Sequence, residues 1–476
     1  SLDIAMGGTT GVEITFAPLR LYDPATGAAN DQNVATHAAL SGRSINIPDA
    51  YQAKDFDFSG TKRFDAGTGY RSRSFLTVPL KNHDGQVIGI LQLLNAQDPA
   101  TGEVIPFSAE IQPVVEALAS QAAVALDNSQ LLEAQKQLLD AFIELIASAI
   151  DAKSPYTGGH CQRVPEVTRM LAEAACASAA PAFADFDLDE DGWHELRIAA
   201  WLHDCGKVTT PEYVVDKSTK LETIHDRITT VDLRFEVLSR DAEIAMLRAI
   251  AAGADAADTR AAFEATVAQL ADEREFLRRC NVGGEFMKPE DQQRVRDIGA
   301  RRWVNEHGED APLLSDEEVH NLTIAKGTLT PEEREVINHH IVATIKMLES
   351  LPYPKHLQRV PEFAGGHHER MDGKGYPRGL TRDQMSVQAR VMGIADIFEA
   401  LTAADRPYKK AMKLSQALAI LGRMKQDNHV DPDLFDVFVR EKVYLRYAEA
   451  FLHPEQIDDV DIAALPVGTA SSAGGH

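Results

Sequence analysis

Trp201-Leu202-His203-Asp204-Cys205-Gly206-Lys207 is the stretch on which the reading of the chain turns. An apolar, helix-like run ends there in adjacent His and Asp, followed by two small residues and Lys. Neighbouring His and Asp offer an imidazole nitrogen and a carboxylate to one point. That suits a divalent transition metal, and a carboxylate can bridge two ions. A Lys three residues beyond the Asp, just past a Gly, can meet an anion held by such an ion. A buried structural His would explain the pair taken alone, so the supply of further ligands decides.

The second cluster is Gly365-Gly366-His367-His368-Glu369-Arg370-Met371-Asp372-Gly373-Lys374-Gly375-Tyr376-Pro377. Two His after two Gly, then a Gly-rich turn closed by Tyr-Pro, make a poor core segment. Such polarity is costly to bury without partners, and the glycines punctuate turns. HDCGK followed by HHERMDGKGYP resembles the HD-GYP subgroup of the HD phosphohydrolases, over Leu139 to Leu452. The resemblance implies a mostly helical, metal-dependent phosphodiesterase that opens the bacterial second messenger cyclic di-GMP.

The 476 residues are too many for one ordinary core and fit two or three domains. With 44% hydrophobic and 25% charged residues the composition is that of a soluble globular protein. No run of about 18 apolar residues offers a membrane span. The opening residues carry neither a signal-peptide pattern nor an initiator Met, so the chain reads as a piece of a longer protein. A net charge of −24 argues against general DNA binding, which needs a basic face. It leaves room for a small anionic substrate in a pocket whose field is set by metal and local Lys and Arg. Cys161, Cys176, Cys205 and Cys280 lack CxxC spacing and fit a reducing cytoplasm.

The expected fold is α+β and multidomain: an N-terminal α/β domain, a long connecting helix, and a C-terminal all-α bundle with a helical insertion. Residues 1–110 read as α/β. Ser74–Leu80 and Val87–Leu94 are strand-like around the turn Asn82-His83-Asp84-Gly85, a hairpin. This VPL…DGQVIGILQLLN grammar resembles a GAF domain, a sensory module for small ligands or dimers, with antiparallel sheet and helices. Of the pattern carried by cyclic-nucleotide-binding GAF domains, Asn95 and Phe107 match, whereas Ala96, Ile111 and Gln112 do not. The ligand of this domain is left unknown.

Residues 111–152 read as a connecting helix. Val124, Leu131, Leu138 and Leu145 recur every seven residues, the seam of a parallel homodimer or the buried face of an ordinary amphipathic helix. The HD-GYP resemblance spans 139–452, followed by a tail, 453–476. It implies metal ligation by His160, His203, Asp204, His340, His367, His368 and Asp396. His340 is preferred to His339 by alignment on the Thr330-Pro331-Glu332-Glu333 helix start. Some members hold a third metal with a Glu four residues before the first His; Tyr156 stands there, which favours two ions.

The segment 221–327 is an insertion. It reads as a helical hairpin over 242–279, broken at Gly253 and at Gly283-Gly284, either a lid or dimer contact or a surface decoration. His225 and Asp226 lie outside the ligand positions. Five imidazoles and two carboxylates are too many for one ion. The partition implied is His160, His203 and Asp396 on one ion, and His340, His367 and His368 on the other, with Asp204 bridging. The mixed N/O set suits two divalent transition metals, Fe or Mn first among them. Asp204 and Lys207 would carry the chemistry. Lys207, Lys374, Tyr376, Arg406 and Lys409 would contact substrate, and the Gly373–Pro377 turn could also meet a diguanylate cyclase. The rivals are a catalytically silent module that binds a cyclic dinucleotide or a protein, and an HD phosphohydrolase of another nucleotide.

Overall fold

In the computed structural model, residues 19–153, 159–284, 286–305, 307–404 and 411–468 are described, and the chain forms two compact units, Ser1–Leu139 and Asp140–His476. In the first unit β1 (Ile45–Ile47), β2 (Phe75–Lys81) and β3 (Val87–Leu94) form an antiparallel sheet in that order. The hairpin read from the sequence is there: Phe75 pairs with Leu94 and Val78 with Leu91, and Gly85 takes φ 76° in the connecting turn. Two helices accompany the sheet, α1 (Val34–Ser41), capped by Asn33, and α2 (Ser59–Thr68). Leu76 and Val78 of β2 share a small core with Val115 and Ala119. Those two belong to α3 (Ile111–Lys153), an unbroken helix of 43 residues. Its heptad row stays at the surface, with Val124, Leu131, Leu138 and Leu145 each more than half exposed.

The second unit is helical. It runs through α4 (His160–Cys176), α5 (Glu190–Leu202), the single turn α6 (Glu212–Val215), α7 (Ile228–Ala251), α8 (Ala256–Asn281), α9 (Pro289–Gly299) and α10 (Asp316–Leu322). There follow α11 (Pro331–Asn338), α12 (His340–Glu349), α13 (Val360–Gly365), α14 (Val387–Thr402), α15 (Leu414–Gln426), α16 (Pro432–Arg440) and α17 (Val443–Phe451). The caps follow the sequence. Asp189 accepts the Gly192 N–H at the start of α5, and Thr330 and Glu333 form a capping box on α11 with Pro331 in its first turn. One core joins α4, α5 and α13 to α17. At its centre Phe398 meets Phe438 edge to face at 4.9 Å and Tyr447 at 5.6 Å, all three fully buried. Each buried ring contributes about 1.5–3 kcal/mol. This core fixes α4, α5, α12, α13 and α14, the helices that carry or adjoin the functional side chains.

Two stretches differ from the sequence expectation. The hairpin of the 221–327 segment is α7 and α8, and it begins at Ile228 rather than near 242. The β-branched run Ile228-Thr229-Thr230-Val231 is a weak helix former, but Val231 and Phe235 are buried, and Asp226 accepts the Ile228 N–H. The segment also has its own core, Leu221, Phe235, Leu270, Leu277, Val295, Leu313 and Leu322 among its members, so it is a small packed body and not a lone hairpin. The expected tail, in turn, is docked as far as Gly468. Gln456 donates to the carbonyls of Thr402 and Met412, Val460, Leu465 and Val467 pack on the main core, and the Gly468 N–H reaches Asp436.

Candidate metal centre

Seven side chains meet inside the second unit, from the ends of α5 and α13, the starts of α4 and α12 and the middle of α14. Asp204 stands in the middle. Its Oδ2 lies 3.4 Å from Nε2 of His160 and 3.4 Å from Nε2 of His203. Its Oδ1 lies 3.2 Å from Nε2 of His340 and 4.0 Å from Nε2 of His367. Asp396 Oδ1 joins the first side, 3.3 Å from His160 and 3.8 Å from His203. His368 joins the second, its Nε2 3.2 Å from that of His340. His160, His203 and Asp204, and separately Asp204, His340, His367 and His368, each place their donor atoms within 4.8 Å of one another. Donors bonded to one ion at about 2.1 Å lie about 3–4.2 Å apart, and the separations of Asp204 from its four imidazoles and of His340 from His368, 3.2–4.0 Å, fall in that range.

The rings are aimed by their other nitrogen. Nδ1 of His203 donates to the Ala200 carbonyl at 2.7 Å, that of His367 to Ala364 at 2.6 Å, and that of His340 to Ile337. Each acceptor lies three residues back, among the last carbonyls of α5, α11 and α13. Donation from Nδ1 leaves the lone pair on Nε2, facing the centre. His160 is held differently: its Nδ1 meets the buried carboxylate of Glu399, which also accepts from Arg163 Nε at 2.8 Å. The result is a set of buried atoms with no hydrogen-bond partner: Nε2 of His160, His203 and His367 and Oδ1 of Asp204. Polar atoms left so cost about 1–3 kcal/mol each. Their convergence fits bound metal, with Asp204 shared between the His160/His203 group and the His340/His367/His368 group.

Electrostatics follow from this packing. Burial opposes charge on His203, but Asp204 and Asp396 outweigh it and push the ring up to about 9. Burial also opposes charge on His160, and the Asp204, Asp396 and Glu399 carboxylates again prevail, raising it well above the ordinary value. His368 goes the other way, down to about 4, through burial and the neighbouring His340. Asp204 is buried, yet Lys207 and His203 hold it well below the usual carboxylate range. Lys207 Nζ donates to Asp204 Oδ2 at 2.5 Å and remains a quarter exposed, so one end of it faces outward beside the centre.

The remaining expected residues are placed unequally. His339 is exposed at the end of α11 while His340 turns inward, as the alignment favoured. Tyr376 stacks on His368 at 4.8 Å and 22°, at the rim. Lys374 is 79% exposed beside Asp372 and is not brought to the centre. Asp226 is taken by Asn281 and the Ile228 N–H. Arg406 and Lys409, like Tyr156, lie outside the described residues.

Two residues were missed in the sequence. Glu399 follows Asp396 by one helical step of three, a spacing that puts both on one face of α14. Glu369, 3% exposed, accepts the Arg378 and Leu380 N–H groups and so folds the Gly-rich turn back on itself. Gly375 passes so close to Glu369 that a Cβ there would lie 2.5 Å from the Glu369 Cα. Exchanging Glu399 for Gln is expected to keep the fold and weaken metal binding about 10–100-fold, because the neutral amide polarises His160 less. Competition against a chelator measures this, and unchanged affinity would make Glu399 purely structural.

Comparison with known proteins adds to the geometry. The GAF domain family matches residues 11–126 and the HD domain family matches residues 315–434. A 3′3′-cGAMP-specific phosphodiesterase of Vibrio cholerae is 26% identical over 74% of this chain and 54% of its own length. A probable cyclic di-GMP phosphodiesterase of the same organism is 30% identical over 38% of this chain and 42% of its own. A cyclic di-GMP phosphodiesterase of Pseudomonas aeruginosa is 37% identical over 24% and 26%. The chain thus spans about half or less of the length of these relatives. Among the described residues no helix is long and apolar enough to cross a membrane. With both domain matches on these two units, the chain carries a GAF domain followed by an HD domain.

Proposed function

We propose that the HD domain hydrolyses a phosphodiester bond of a cyclic dinucleotide, cyclic di-GMP first, to linear pGpG and in a second cut to GMP. The observation that carries this reading is the convergence of four buried imidazole nitrogens on the two oxygens of Asp204, those of His160, His203 and His367 having no hydrogen-bond partner among the described residues. A pair of divalent metals held there, by His160, His203 and Asp396 on one side and His340, His367 and His368 on the other, supplies an activated water and neutralises phosphoryl charge. The chain's own part is orientation. Lys207, fixed by Asp204, presents its ammonium to a phosphoryl oxygen and stabilises the charge that grows there. Tyr376, on the face of His368, walls the site against water and offers a ring for a base to lie on. Lys374, exposed on the turn, is better placed to meet a protein such as a diguanylate cyclase than the reacting phosphate.

Names of relatives support the substrate class, and they support a second reading too, because the relative aligned over most of this chain is specific for 3′3′-cGAMP. The GAF domain is taken as the regulatory input, with its ligand open. The exposed apolar row Val124, Leu131, Leu138 and Leu145 is taken as the seam of a homodimer. The four free cysteines suit a reducing, cytoplasmic setting.

One preparation tests all of this. Elemental analysis is expected to find about two Fe or Mn per chain. Chromatography of the products should show pGpG from cyclic di-GMP under reducing conditions, and sedimentation should show a dimer. Metal with cleavage of 3′3′-cGAMP alone would move the substrate to the second reading. No metal and no cleavage after reconstitution would leave a silent binding module, and a monomer would remove the seam.

A further inference from the structure

The end of α3 is fastened to three of the segments that feed the centre: the turn after Asp204, α4 and α5. Lys153, its last residue, donates from Nζ to three backbone oxygens: Lys207 at 3.2 Å, Val208 at 2.7 Å and Thr210 at 2.7 Å. These oxygens belong to the short 3-10 turn Cys205–Thr209, which begins directly after Asp204 and carries Lys207, and to the residue that ends it. Two residues earlier, the buried carboxylate of Asp151 accepts the Cys161 N–H at 3.0 Å, in the first turn of α4, next to His160. Further up the helix Asp140 accepts from His194 Nε2 at 2.7 Å and from Arg197 at 2.7 Å. Both partners lie on α5, the helix that ends at His203 and Asp204.

An ammonium has three protons, and Lys153 gives them to three carbonyls at the end of the tight turn, of which that of Lys207 also accepts the Thr210 N–H. Charge-assisted hydrogen bonds of this kind are about twice as strong as neutral ones. Packing or helix propensity would not require a half-buried Lys to fold back onto three backbone oxygens of one turn.

We infer that Lys153 and Asp151 are positioning residues, a clamp that sets Lys207 and His160 in register with Asp204 and is where a shift of α3 reaches the centre. The regulatory part rests on the proposed role of the GAF domain; the positioning part does not. Because α3 runs unbroken from Ile111 to Lys153, a displacement along its axis acts at once on the two elements that face Asp204 Oδ2, the Lys207 turn and the start of α4 at His160.

The test uses the full chain with Lys153→Met, which keeps the aliphatic stem and removes all three donors, Lys153→Gln, which keeps one donor group, and Lys153→Arg. The first readout is amide hydrogen exchange over residues 203–212, which needs neither metal nor turnover. The second is kcat and KM on bis(p-nitrophenyl) phosphate with the reconstituted protein. Lys153→Met is expected to lose protection over 203–212 and to lower kcat on the order of 10-fold, with KM little changed. Lys153→Gln should fall between, and Lys153→Arg should restore most of both. Wild-type protection and wild-type kcat in Lys153→Met would overturn the clamp. If Lys153→Met does not fold, Lys153→Gln decides by the same two readouts. If the unmodified chain cleaves neither bis(p-nitrophenyl) phosphate nor cyclic di-GMP, the phosphodiesterase reading fails, and the exchange data alone decide the clamp.

Discussion

Replacing Asp204 with Asn is expected to lower turnover by about 10⁴-fold or more, the scale seen when one member of a catalytic unit is removed. Among the described residues no other side chain in the centre faces both sides: Oδ2 looks to His160, His203 and Lys207, Oδ1 to His340 and His367. An amide of the same shape offers one oxygen and one N–H donor group, so it can serve one side only. It also deletes the negative charge that the raised His160 and His203 and the Lys207 ammonium surround. Leaving such a cluster buried without its anion costs about 3–5 kcal/mol. The metal-free variant should therefore melt earlier as well, and elemental analysis should find less metal per chain. Turnover within tenfold of the unmodified protein would show that Asp204 does not bridge, and the two-metal reading would have to be rebuilt around Asp396.

The second large effect comes from a residue with no side chain. At Gly206 the turn after Asp204 lies against the start of α12, and its N–H donates to Thr344 Oγ1 at 2.9 Å. An added Cβ would collide with the His340 carbonyl oxygen and stand 2.5 Å from the Thr344 nitrogen and 2.7 Å from its Oγ1. Two of these three are backbone and cannot swing away. Gly206→Ala is therefore expected to cost about 3 kcal/mol or more, the upper range for overpacking. It also drives His340 away from Asp204, so metal content should fall with stability. Urea denaturation and elemental analysis of one sample read both. A variant of normal stability with both ions bound would mean that the turn and α12 can separate without disturbing the ligands.

Much of this was legible because the ligands sit in compact motifs. His203-Asp204 and His367-His368 lie next to turn glycines, and Asp396 stands alone in an apolar run, where an acid needs a reason. The hairpin of the first unit was legible because its strands flank a turn that Gly85 allows. What was missed has a common cause, which is tertiary burial overruling local sequence. Glu399 and Glu369 look like ordinary surface acids until the fold buries them. The start of α7 is a poor helix former until Val231 and Phe235 find a core. The stretch after residue 452 reads as a tail until Val460, Leu465 and Val467 find apolar neighbours.

The three imidazoles that donate to the carbonyl three residues behind them have a consequence for how ions arrive. His203, His340 and His367 are aimed by contacts inside their own four-residue stretch. Their rotamer freedom is therefore lost when the chain folds, not when metal binds. Uptake adds bonds to a cage that is already set, and His203 and His367 are almost wholly enclosed by it. Ring rotation is then not the slow step of exchange. An incoming ion would meet three imidazoles already in place, and its uptake would cost them little further ordering.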